Sequence, residues 1–151
     1  ELITIARTVN DRMPLEIVSI INDYIKENQV DTDQLKVGLL GITFKEDVPD
    51  LRNSKALEIG QRLKDYGLQV LAYDPIIDHQ DKLKELDIPI VPREELIDLD
   101  IAILAVSHQQ FRDMQDEDFI NLFKNHSGLM VDVKGLCKDR ELGENIKIIS
   151  L

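Results

Sequence analysis

The amino-acid sequence predicts an α/β fold, an open and mostly parallel sheet flanked by helices and preceded by a long N-terminal helix. Two observations carry this expectation. From Lys36 onward, short runs rich in Val, Ile and Leu alternate with amphipathic stretches, the pattern of buried parallel strands joined by helical crossovers. Before that, Ile5, Val9, Met13, Ile17, Ile20 or Ile21, and Tyr24 recur at i, i+3, i+4 spacing, which puts them on one face of a helix over residues 1 to 28.

Pro14 falls inside that helical pattern, where it either kinks one helix or opens a second near Asn10 or Asp11. Residues 28 to 34, NQVDTDQ, are polar and read as a linker, which divides the chain into a helical segment at 1–34 and a sheet domain at 35–151. Lys36 to Ile42 is the first expected strand. A helix follows from Ser54 to Tyr66, with Ser54 as N-cap, Ala56, Ile59 or Gly60 and Leu63 facing inward, and Gly67 as its stop. Leu68 to Tyr73 is the second strand, ended by the turn-forming pair Asp74-Pro75. A charged helix is expected at 80–86, a third strand at 89–91 and a brief helix at 94–99. Ile101 to Val106 is the most apolar run and hence the central strand. Asp116 to Lys124 reads as a helix with Phe119, Ile120 and Phe123 inside, Leu129 to Val133 as a fifth strand and Ile146 to Ile149 as a sixth.

Composition narrows the function. A chain of 151 residues with 43% hydrophobic content suits one domain with a real core. The formal charge of −11 argues against nucleic-acid or anionic-membrane surfaces, which need broad basic patches, although one phosphate group needs only one or two local cations. No apolar run approaches the roughly 18 residues of a membrane span, and no leader pattern is present, so a cytoplasmic protein is expected. The start at Glu1, within a helical pattern and without Met, suggests a piece of a longer protein. The single cysteine, Cys137, rules out an internal disulfide, and no metal site is expected. Cys137 has no neighbouring His or helix start to activate it as a nucleophile.

In such sheets ligands bind beyond the carboxyl ends of the strands. The residues to read there are Thr43 to Arg52, Asp74, Ser107 and His108, and Asp132 to Gly135. The first of these loops follows Gly38 and Gly41 but has no G-x-G-x-x-G, so no complete pyrophosphate cradle of a dinucleotide site is expected. It offers Lys45 and Arg52 instead. Two readings stand for them: cations that bind an anion at a helix start, or solvated charges paired with Glu46, Asp47 or Asp50. Lys134 either points into the same crevice or is a surface charge. His108 is expected at a polar rim or cap, and Asp74 in a turn. A phospho-receiver domain would also place a hydroxyl and a lysine where Ser107 and Lys134 stand, but Thr43-Phe44 and Pro92-Arg93 occupy the positions where it needs acidic residues.

The run G-I-T-F-K-E-D-V-P-D-L-R-N-S-K-A, Gly41 to Ala56, resembles the motif G-x-x-F-K-x-x-x-x-D-x-R-x-S-x-A of the UDP-glucose/GDP-mannose dehydrogenase family, in its C-terminal domain. A-R-T-V-N-D-R-M-P at Ala6 to Pro14 resembles the family's linking helix, V-L-A-Y-D-P the end of its second strand and M-V-D-V-K-G its last motif. The resemblance covers nearly the whole chain and implies a Rossmann-like UDP-sugar-binding domain. It implies that Phe44 and Lys45 line the UDP-sugar phosphates, that Lys134 lies at the nucleotide, and that Arg52 reaches NAD held by another domain. It further implies an NAD-dependent oxidation of the sugar C6 alcohol to a carboxylate, dimerisation through the linking helix, and catalytic residues and a G-x-G-x-x-G upstream of Glu1. No catalytic residue is therefore expected here, and Cys137 is not one. Asn53 and Lys55 stand where relatives often carry Glu and Pro. D-V-K-G at Asp132 to Gly135 and H-Q-Q-F at His108 to Phe111 look more like the UDP-N-acetylhexosamine branch than the UDP-glucose branch. A competing expectation is a noncatalytic module that works through its long helix.

Overall fold

A computed structural model describes residues 2–78 and 87–151, with side chains from residue 11 onward. Five strands form one sheet in the order β2-β1-β3-β4-β5, and every pair is parallel. They are β1 (Lys36–Leu40), β2 (Gln69–Tyr73), β3 (Ile101–Leu104), β4 (Gly128–Asp132) and β5 (Ile146–Ser150). The expected helix at 80–86 lies outside the described residues.

The alternation of side chains along these strands explains the layering. Val37, Leu39, Ile101, Ile103, Leu129 and Val131 face one hydrophobic cluster, which α1 (Leu2–Asn28) and α2 (Lys55–Asp65) cover with Ile17, Ile21, Ile59 and Leu63. Leu40, Ala102, Leu104 and Met130 face the other, where α3 (Gln109–Arg112) and α4 (Asp116–Ile120) bring Phe111 and Phe119. The helix α1 runs unbroken through Pro14, which is itself buried. Gly38 looks into the second cluster because a side chain there would meet Leu99, with Cδ1 at 2.5 Å from the place of its Cβ.

The ends of α2 follow local chemistry. Ser54 is the N-cap, its Oγ accepting from the Leu57 N–H at 3.1 Å. At the other end Gly67 takes φ of +94°, and the N–H groups of Gly67 and Leu68 donate to the carbonyls of Lys64 and Leu63 at 2.9 and 3.2 Å. That pair of bonds is a Schellman close, which only a residue tolerant of the left-handed region makes without strain.

Three expected elements are reduced. The strand at 89–91 is a single bridge, with Val91 donating to Ala72 and Ala72 to Pro89 at 2.8 and 2.9 Å. Prolines at 89 and 92 supply no N–H to lengthen the ladder. That bridge nonetheless occupies the place beyond β2, completing the spatial order 3-2-1-4-5-6 of a Rossmann sheet. The helix expected at 94–99 is a 3-10 turn at Arg93–Glu95, stopped where Leu96 leaves helical geometry and Asp98 turns to φ of 56°. The helix expected at 116–124 ends at Ile120, and Asn125, at φ of 55°, redirects the chain into β4.

Candidate functional site

Chain order reverses across β1 and β3, so the loops leaving these two strands flank a crevice. A cleft of about 530 Å³ opens there. Thr43 to Asp47 line it from the loop after β1, Ala105 and Val106 from the end of β3, Lys134 from the turn after β4, and Lys55 and Ala56 from the start of α2. Met13 of α1 closes one side.

The structure brings Phe44, Lys45 and Lys134 together in this cleft and leaves Arg52 outside it. Phe44 is 58% exposed, an aromatic ring at the cleft with its backbone fixed by a 2.7 Å bond from its N–H to the Asp50 carbonyl. Lys45 and Lys134 are exposed, and among the described residues neither pairs with a carboxylate. Arg52 does pair: its guanidinium donates to both carboxylate oxygens of Asp50, at 3.0 and 2.9 Å. Those bonds hold the Asp50 carboxyl down at about 2. The paired-charge reading thus describes Arg52 in this chain and not Lys45. Lys55 is also engaged, 3.0 Å from Asp11 on α1 and 3.6 Å from Glu58, which ties the two helices together beside the cleft.

The turn that presents Lys134 is built by Asp132, fully buried, whose carboxylate accepts from the N–H groups of Leu136 and Cys137 at 3.0 and 2.6 Å. Cys137 is buried in the second cluster, and burial, reinforced by Asp132, pushes its thiol up to about 12. It is structural.

Asp74 and His108 are neither a simple turn nor a rim. Asp74 does hold its turn, Oδ1 accepting from Ile76 N–H at 3.0 Å, but Oδ2 reaches the Ile42 N–H at 2.8 Å and His108 Nε2 at 2.9 Å. His108 occupies the N-cap position of α3, yet its side chain makes no cap bond and is fully buried. Thr43 Oγ1 lies 3.2 Å from the same Nε2 and donates to the Lys45 carbonyl. A hydroxyl, an imidazole and a carboxylate in contact suggest a hydrolytic triad, but the geometry is wrong. Asp74 and Thr43 share one nitrogen, while Nδ1 is occupied by the Asp47 backbone N–H at 2.9 Å. Sequence spacing could not reveal this network, because its partners lie 32 to 65 residues apart.

The residues fit an anion. Two unpaired ammonium groups and the start of an eleven-residue helix face the cleft. Gly41, at φ of +87°, is packed on Val106, whose Cβ would lie 2.8 Å from a Cβ placed there, so the turn after β1 admits no side chain at this position. Among the described residues, no group of three His, Cys, Asp or Glu is disposed to hold a metal, and no helix is long and apolar enough to cross a membrane.

By fold and cleft, then, the chain is a Rossmann-like domain with a lysine-lined crevice at its switch point. The UDP-glucose/GDP-mannose dehydrogenase family, UDP binding domain, matches residues 38–139, and the chain belongs to that family. It is 35% identical over 143 residues to protein CapL of Staphylococcus aureus, covering 94% of this chain and 33% of that protein. To the UDP-N-acetyl-D-glucosamine 6-dehydrogenase of Pseudomonas aeruginosa it is 36% identical over 139 residues, covering 92% and 33%. Among solved structures, the NDP-N-acetyl-D-galactosaminuronic acid dehydrogenase of Methanosarcina mazei superimposes with a TM-score of 0.80 at 18% identity, covering 99% of this chain and 31% of that one. The UDP-N-acetyl-mannosamine dehydrogenase Cap5O of Staphylococcus aureus gives 0.71 at 24%, covering 95% and 32%. The chain therefore spans about a third of the length of the relatives it matches.

Proposed function

We propose that the chain supplies part of the UDP-sugar pocket of an NAD-dependent nucleotide-sugar 6-dehydrogenase. One observation carries this reading: in a protein of net charge −11, Lys45 and Lys134, unpaired among the described residues, and an exposed Phe44 line a single cleft. The lysines suit the diphosphate as charge-assisted donors, and Phe44 offers an apolar surface beside it. Arg52, outside the cleft, is assigned to NAD carried mainly by another domain, which would supply the hydride acceptor. The names of two of these relatives, a UDP-N-acetyl-D-glucosamine 6-dehydrogenase and a UDP-N-acetyl-mannosamine dehydrogenase, support a UDP-N-acetylhexosamine in preference to UDP-glucose as substrate.

Residues 1–34 serve as the linking helix and homodimer contact, and residues 35–151 as the binding domain. The enzyme is cytoplasmic, with no nucleic-acid or membrane partner. The 151-residue chain alone binds UDP weakly and oxidises nothing, since the nucleophile lies elsewhere. Calorimetric titration with UDP and a sizing run test this. Saturable heat is expected, with no NAD reduction when a UDP-sugar is added. Dimerisation with no UDP heat would favour an interaction module instead, and turnover by this chain would overturn the assignment of catalysis to another domain.

A further inference from the structure

The segment after β3, Ser107 to Arg112, contributes nothing to the lining of the cleft, yet it grips the loop that does. Its target is Asp47, which sits at φ of 58°, a left-handed conformation that a residue other than glycine keeps only when held. Asp47 is held on three sides. Its N–H donates to His108 Nδ1 at 2.9 Å, its Oδ1 accepts from the Gln109 N–H at 2.9 Å, and its Oδ2 accepts from Arg112 at 3.2 Å. Arg112 also lies 3.7 Å from Glu46 and is itself oriented by the Ser107 carbonyl and by Gln109 Oε1 at 2.8 Å.

The imidazole transmits this grip to the sheet. A backbone N–H can only donate, so Nδ1 carries a lone pair and the ring proton is on Nε2, facing Asp74. The ring is fully buried and packs against Phe111, their centroids 5.9 Å apart. One side chain thus joins the end of β2 to the tip of the loop bearing Phe44 and Lys45. The loop's own bridge, Lys45 to Val48, closes it locally but does not fix it to the sheet.

We propose that His108 is a positioning residue for the cleft, fixing the loop of residues 43–50 so that Phe44 and Lys45 face the ligand, with Gln109 and Arg112 completing the clamp on Asp47. The proposal rests on the UDP-binding reading above. Its physical content is a population: a loop released from the clamp spends less time in the competent arrangement, and apparent affinity falls by that fraction.

Two variants divide the role of the ring. In His108→Asn, the amide oxygen takes the place of Nδ1 and can accept from Asp47 but does not reach Asp74. In His108→Gln, the amide reaches Asp74 and leaves Asp47 N–H without an acceptor. Amide exchange at Asp47, read by NMR on the 151-residue chain without nucleotide, and UDP titration are the readouts, with melting temperature alongside. His108→Gln is expected to speed exchange at Asp47 and to weaken UDP about tenfold, a loss of roughly nine-tenths of the competent population. His108→Asn is expected to keep most of the protection and affinity although it melts as early or earlier. Arg112→Ala, which removes the exposed half of the clamp without touching the buried ring, moves exchange and affinity in the same direction as His108→Gln. Unchanged exchange at Asp47 in His108→Gln or, should that variant not fold, in Arg112→Ala overturns the clamp. So does affinity that simply tracks melting temperature across the set. A wild-type chain with no UDP heat overturns the binding reading and with it the ligand-facing role, while exchange at Asp47 separately decides whether the clamp exists.

Discussion

Arg52 and Asp50 close on one another through two side-chain hydrogen bonds of 3.0 and 2.9 Å, with the Arg52 side chain 87% exposed and outside the cleft that holds Lys45. The consequence is measurable on Asp50, whose carboxyl is held at about 2 by the Arg52 side chain first and the Arg52 backbone N–H second. A depressed carboxylate contributes its full stabilisation above the unfolded value of roughly 3.9 and loses it as pH falls toward the folded value. The turn at 50–54 is therefore expected to loosen between about pH 4 and pH 2. In Arg52→Ala, NMR titration should find Asp50 moved up toward the ordinary carboxylate range; an unmoved Asp50 would contradict the pairing.

The placement of the three cations predicts a contrast in ligand binding. Lys45→Ala and Lys134→Ala should each weaken UDP by about 1.5 kcal/mol, roughly tenfold, for the loss of one charge-assisted contact. Arg52→Ala should leave UDP affinity within twofold of wild type. Equal losses at all three positions would mean that UDP responds to overall charge and not to this cleft.

Cys137 gives a test of the second core cluster. A thiol pushed up to about 12 is protonated and shielded at neutral pH, so native protein should not react with a thiol reagent until it unfolds. The sign of the pH effect follows: above the unfolded thiol value of roughly 8.5 the unfolded chain releases a proton that the native chain keeps, and stability falls as pH rises. Fast native labelling at pH 8 would contradict this burial.

Gly38 predicts a cost with no functional component. In Gly38→Ala, the new methyl would stand 2.5 Å from Leu99 Cδ1, in a fully buried position. Overpacking of this kind costs about 1 to 3 kcal/mol, read as a lowered melting temperature with UDP affinity retained. A variant as stable as wild type would show that Leu99 can move aside.

Much of the scaffold was legible because it depends on local pattern. Ser54 and Gly67 bracket α2 by their own chemistry, and the unbroken apolar run beginning at Ile101 marks the central strand. What stayed hidden depends on distant partners or short elements. Four residues, Gln109 to Arg112, carry too little periodicity to announce a helix, and Pro89 and Pro92 turn an apparent strand into a bridge. Phe44, Lys45 and Lys134 are marked out by the motif in register, while position after a strand alone leaves the two lysines between anion binding and surface charge. Asp74 holds the turn expected of it and His108 stands at the N-cap of α3, but the further bonds that bury both side chains are beyond the reach of spacing, since their partners come from three separate segments.

The helix α1 sends Ile17, Val18, Ile21 and Ile25 into the same cluster as the strands β1, β3 and β4. It therefore behaves as a keel and not as a tether. A shift of α1 would have to repack this shared cluster, and the Lys55 to Asp11 pair is a second point of purchase, since Lys55 lines the cleft together with Lys45 and Lys134.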